Sequence, residues 1–130
     1  MNALVGDELL VSVFAQFQPG STFHIDDESE IVNAFFRARE TGKYARLFVN
    51  YPFDADGVEP RCRALSDAIS ALQQARLLGR WNPDLVDYKI WPALKSSYDR
   101  FVEPKLGRAK PLIGELATDI GEKLHIAEPA

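Results

Sequence analysis

The chain has 130 residues, 46% of them hydrophobic and 26% charged, which is typical of one globular domain and argues against disorder. Its single cysteine, Cys62, excludes an internal disulfide and fits a reducing compartment. The net charge of −4 favours solubility and disfavours a protein that coats nucleic acid without specificity.

The N-terminal apolar run, residues 9–15, is too short to cross a bilayer. Asp7 and Glu8 precede it, where a signal peptide carries positive charge. We therefore expect a cytoplasmic protein that does not associate with membranes.

Charge is distributed unevenly along the sequence. Residues 1–60 carry a net charge of −6, residues 61–110 carry +5, and residues 111–130 carry −3. The basic middle segment could face a polyanion, or it could neutralise the acidic half of the same protein. The second interpretation is the simpler one, because charge runs are usually solvated faces.

Two helices are predicted in the first half of the chain. Residues 7–17 suit a helix, although their β-branched content leaves a strand open, and residues 18–21 form a turn. Asp27 and Glu30 have the spacing of a capping box, and the helix that follows should end near Gly42. Residues 44–53, which are rich in aromatic residues and contain Pro52, predict a short strand or an irregular segment, and residues 54–57 predict a loop.

The clearest helix follows Pro60, and we predict that it ends at Gly79. Its apolar stripe consists of Leu65, Ala68, Ile69, Leu72 and Ala75. After it, residues 82–84 (Asn-Pro-Asp) predict a type I turn, and apolar residues alternate with polar ones over residues 86–91. With residues 77–81 as the partner strand, this pattern predicts a β-hairpin over about residues 78–91.

Two further helices are predicted in the C-terminal part. The first follows Pro92 and carries Leu94, Tyr98, Phe101 and Val102. The second opens near Pro111 and carries Leu112, Ile113, Leu116, Ile120 and Leu124. Glycines recur every seven residues at 107, 114 and 121. This spacing allows close packing against a partner chain and therefore predicts a homodimer through the C-terminal helices. Chance explains the spacing equally well.

The sequence contains no recognisable catalytic or ligand-binding motif. His24 and His125 lack metal-ligand spacing, residues 54–57 fail as a calcium loop, and the glycines do not form a phosphate loop. Cys62 has no histidine nearby in the sequence to activate it as a nucleophile. We therefore predict a non-enzymatic protein with no catalytic, cofactor-binding or metal-binding residues.

The segment ALSDAISALQQARLLGRWNPDLVDYKI runs from an apolar-striped helix through Leu-Leu-Gly into a hairpin. This order resembles the recognition helix and wing of winged-helix domains. The resemblance covers about residues 61–91. It implies a mainly α fold with a small β-hairpin (α+β), in which a winged-helix-like core is followed by C-terminal helices. We expect one domain over residues 1–130, with a core over about residues 7–91 and a helical extension over about 92–126. The long stretch 42–59 departs from the usual pattern of such domains.

The resemblance also implies a DNA-binding surface and a role in transcription regulation. Its candidate residues are Arg63, Ser66, Ser70, Gln73, Gln74, Arg80 and Lys89. Arginine can pair with guanine and glutamine with adenine, and serine can hydrogen-bond phosphate or base edges. Arg80 and Lys89 would lie on the hairpin and suit the DNA backbone or the minor groove. Asp67 would lie within this face and repel phosphate. The alternative is a protein–protein interaction module, such as an adaptor or antitoxin-like protein, that uses the same fold without nucleic acid.

Overall fold

The structure is a computed structural model that describes residues 3–57, 59–80 and 87–129. It confirms the predicted α+β class: the described residues are mainly helical and include one small antiparallel sheet. The elements in chain order are α1 (Glu8–Phe14), β1 (Thr22–His24), α2 (Ser29–Glu40), a 3-10 helix (Ala45–Leu47), α3 (Arg63–Gln74), β2 (Leu78–Arg80), β3 (Asp87–Ile90), α4 (Pro92–Ser97), a π-helical turn (Tyr98–Val102), α5 (Glu103–Leu106), a second 3-10 helix (Gly107–Ala109) and α6 (Lys110–Leu124).

Helix α1 forms at the position where the sequence left helix and strand open. It is shorter than residues 7–17 and is buried on almost every side, which explains why its sequence shows little amphipathic periodicity. The predicted turn follows, with the Ser21 amide donating a hydrogen bond to the Gln18 carbonyl at 3.0 Å.

The predicted capping box forms only in part at the start of α2. The Glu30 carboxylate accepts a hydrogen bond from the Asp27 amide at 3.2 Å, but the Asp27 carboxylate accepts one from the Ser29 amide at 3.2 Å instead of from the Glu30 amide. The N-cap is Glu28, one residue later than predicted. The helix ends as predicted before Gly42, whose φ of +77° suits glycine. The following residues are irregular apart from the 3-10 helix, so of the two alternatives for this stretch the irregular one is observed.

Helix α3 buries four of the five predicted stripe residues, namely Leu65, Ala68, Ile69 and Leu72. The prediction that the helix extends to Gly79 is wrong. It ends at Gln74, and Arg76 adopts a left-handed conformation with a φ of +60°. The Leu77 amide then donates a hydrogen bond to the Leu72 carbonyl at 2.9 Å, which completes a Schellman motif. Ala75 is exposed at this helix end, and β2 begins directly after the motif.

The sheet confirms the two predicted hairpin strands and adds one that the sequence did not reveal. β2 and β3 pair antiparallel, and β1 pairs with the other side of β3. Near the chain end, Ala127 forms a bridge to Thr22 on β1. The predicted type I turn at residues 82–84 lies outside the described residues.

The C-terminal helices share one hydrophobic core with the first three helices, because α6 packs against both α1 and α2. Phe101 does not join this core and is 62% exposed. The predicted glycine stripe does not form one edge of a helix: Gly107 precedes α6 with a φ of +52°, and Gly121 lies against the ring of Phe17. Gly107 and Gly114 both have open space beside them.

Candidate functional site

The outward face of α3 carries most of the predicted DNA-contacting residues. Arg63, Ser66, Ser70 and Gln74 are exposed along this face, because the buried stripe turns the opposite side of the helix toward the core. Arg63 lies 3.9 Å from the carboxylate of Asp67, one turn further on, and both side chains are largely exposed. The face is therefore polar and nearly neutral rather than strongly basic.

Gln73 differs from the other predicted contact residues because it is half-buried at the edge of α3. Its amide lies near the Tyr88 hydroxyl. Burial raises the pKa of Tyr88, whereas the Arg80 guanidinium and the Gln73 amide lower it. Gln73 is thus oriented toward the sheet rather than toward open solvent.

Arg80 is held against the sheet and the start of α2. Its Nε donates a hydrogen bond to the Tyr88 hydroxyl at 2.7 Å, and its guanidinium carbon lies 5.2 Å from the centre of the Tyr88 ring. A terminal guanidinium nitrogen is 3.9 Å from the Glu28 carboxylate. An acidic residue of the first half therefore contacts the basic middle segment, as neutralisation within the protein requires.

Lys89 belongs to the opposite face of the sheet. β3 pairs with β2 so that Tyr88 lies opposite Arg80 and Lys89 lies opposite Gly79, and successive strand residues point to opposite faces. The Lys89 ammonium is 5.0 Å from the centre of the Trp91 ring. Arg80 and Lys89, both candidate DNA-binding residues, therefore lie on opposite faces of the sheet.

Two surface cavities flank α3. One, of about 430 Å³, lies at the start of the helix, where Cys62, Glu28 and Arg61 contribute to its wall. Cys62 is buried there, and burial raises the pKa of its thiol, so it is a poor nucleophile at neutral pH. The other, of about 440 Å³, lies between the end of α3 and the sheet; it is lined by Gln73, Arg76, Leu78, Gly79, Arg80 and Trp91. Sequence patterns did not predict this second cavity, because it depends on where Trp91 packs.

A histidine links the strands on the outer face of the sheet. Nδ1 of His24 on β1 lies 2.7 Å from the Asp87 carboxylate on β3, and its Nε2 lies 3.5 Å from Asp26. The hydrogen bond to Asp87 raises the pKa of His24 above its usual 6.5. Within residues 3–57, 59–80 and 87–129, no group of three or more His, Cys, Asp or Glu side chains is arranged to hold a metal ion.

None of the described helices combines the length and apolar character needed to cross a bilayer. No protein-family model, no curated protein and no solved structure matches the chain.

Proposed function

We propose that this chain is a winged-helix-like, non-enzymatic domain that binds DNA through the exposed face of α3. The observation that carries the proposal is the position of this polar face. It lies on a helix anchored in the core and followed directly by the β2–β3 pair. This is the order in which winged-helix domains present a recognition helix and then a wing, as the resemblance of residues 61–91 implied.

The dimensions of α3 support the proposal. Its 12 residues give a length of about 18 Å, and a helix of about 10–12 Å diameter fits the major groove of B-DNA. Ser66, Ser70 and Gln74 are uncharged hydrogen-bonding residues at the spacing of successive turns, and Arg63 precedes them on the same face. They would contact base edges, while Lys89 on the sheet would contact the phosphate backbone.

A titration of labelled mixed genomic fragments, followed by fluorescence anisotropy at low salt and again at rising salt, tests this proposal. DNA binding predicts a micromolar or stronger Kd and an affinity that falls linearly with the logarithm of salt concentration. An absence of binding at micromolar protein and low salt would refute it.

The second candidate function is a cytoplasmic protein-interaction module, and a specific observation favours it. The Arg63–Asp67 and Arg80–Glu28 pairs offset much of the positive charge that phosphate would require. An apolar or mixed protein contact would respond little to salt, so the same salt series separates the two candidates. The homodimer through the C-terminal helices remains a prediction, which a measurement of mass in solution tests.

A further inference from the structure

The cavity between the end of α3 and the sheet combines charged, polar and apolar walls. Its volume of about 440 Å³ lies within the range of ligand-binding clefts. Arg76 and Arg80 contribute guanidinium groups, and the Trp91 indole contributes apolar surface, whereas the Leu78 side chain is fully buried in the core. A pocket of this composition recognises a ligand that is anionic at one end and apolar at the other.

One charged group at this cavity has unused hydrogen-bonding capacity. The Arg76 guanidinium has no ion-pair partner among the described residues, whereas Arg80 retains its contacts with Tyr88 and Glu28. The Gln73 amide is directed toward the Tyr88 hydroxyl. Arg76 is therefore the group at the cavity that is available to an anion.

The backbone fixes the position of these groups. Arg76 occupies the left-handed position of the Schellman motif that ends α3, so its side chain starts from a defined point at the cavity rim. Trp91 packs over Gly79, which lets the indole form one wall. The site is therefore built on the ends of regular elements.

We propose that this cavity binds a small aromatic anion, a planar ring that carries a carboxylate or a phosphate. Arg76 would hold the anionic group through charge-assisted hydrogen bonds, and the ring would pack against the Trp91 indole. The inference does not require DNA binding, although Gln73 and Arg80 belong both to the candidate DNA-binding residues and to the lining of this cavity.

The test is an NMR titration of the full chain with phenyl phosphate and with benzoate, using benzamide as the neutral analogue. The indole N–H resonance of Trp91 should shift and saturate with one or both anions, with a Kd on the order of 1 mM for ligands of this size. Benzamide should bind at least tenfold more weakly. No saturable shift with either anion, or equal binding of benzamide, would overturn the proposal.

Arg76→Gln should weaken anion binding about tenfold, whereas Arg37→Gln, an exposed arginine on α2, should leave it unchanged. Arg76→Gly provides a second variant, since glycine suits the φ of +60° and keeps the helix end intact if glutamine does not. Undiminished binding by a folded Arg76 variant would assign the anion to another surface. Loss of DNA binding by Arg63→Ala with anion binding retained would separate this site from the proposed function.

Discussion

The indole ring of Trp91 occupies the space in which a side chain at position 79 would begin. A Cβ built on Gly79 would lie within 3 Å of both the nitrogen and Cε2 of that ring, so the glycine is required by packing. The sequence pattern had assigned this glycine to the end of α3. The structure instead places it in β2, opposite Lys89, where its missing side chain allows Trp91 to cover the strand.

Gly79→Ala should destabilise the protein by about 1–3 kcal/mol, because the new methyl group must displace a rigid indole. Urea denaturation measures the change in the free energy of unfolding. The matched control is Gly114→Ala, inside α6 with open space beside it, which should stabilise by up to about 1 kcal/mol. Equal stability of Gly79→Ala and the unsubstituted protein would show that Trp91 does not pack as described.

Ile69→Ala and Leu72→Ala should each lower the free energy of unfolding by about 2–5 kcal/mol. Both side chains are fully buried on the inner face of α3, so truncation removes core contacts and leaves a cavity. Ser70→Ala, between them on the exposed face, should change stability by less than about 0.5 kcal/mol. Losses below about 1 kcal/mol for both core variants would mean that the stripe faces solvent.

Tyr44→Phe should destabilise the protein by about 1–3 kcal/mol through loss of one hydrogen bond. The fully buried Tyr44 donates its hydroxyl to the carboxylate of Asp119 on α6, which ties the segment after α2 to the C-terminal helix. Burial, reinforced by Asp119, raises the pKa of Tyr44, so the hydroxyl keeps its proton at neutral pH. If Tyr44→Phe unfolds at the same urea concentration as the unsubstituted protein, the hydrogen bond contributes nothing to stability.

His24 should make stability depend on pH in the neutral range. Its folded-state pKa lies above the unfolded value of 6.5, so its contribution is complete below about pH 6.5 and is lost as pH rises through the folded pKa. The stability difference between the unsubstituted protein and His24→Gln should therefore shrink as pH rises. An NMR titration of the imidazole gives the pKa of His24 directly, and this pKa should be lower in Asp87→Asn. A His24 pKa at or below 6.5 in the unsubstituted protein would contradict the hydrogen bond to Asp87.

The parts of the fold that the sequence predicted are those governed by local chemistry. The hydrogen bond from the Asp27 amide to Glu30, the buried stripe of α3 and the alternation around Tyr88 each depend on residues close in the chain, and each is present. Strand β1 escaped prediction because its three residues show no alternation long enough to recognise. It is stabilised by pairing with β3, more than 60 residues away.

The candidate surface could be predicted only in part, for a similar reason. Helical periodicity correctly placed Arg63, Ser66, Ser70 and Gln74 on one exposed face. The orientation of Arg80 depends on strand register and on the approach of Glu28, and neither follows from the spacing of nearby residues. Net charge by segment allowed the basic segment to pair with the acidic half, but it could not identify Arg80 and Glu28 as the residues that make the contact.

The contributions of Arg63 and Lys89 to DNA binding should differ in kind. Lys89→Ala removes a phosphate contact, so binding to every sequence should weaken and the salt slope should fall by about one unit. Arg63→Ala or Gln74→Ala removes a base contact. The preference for a duplex selected by binding over a scrambled duplex should therefore fall by about 1–3 kcal/mol. Arg80→Ala should reduce the salt slope less than Lys89→Ala, because Glu28 already offsets the charge of Arg80. Anisotropy titrations of a selected and a scrambled duplex over a salt series measure both effects, and identical salt slopes for Lys89→Ala and the unsubstituted protein would remove Lys89 from the interface.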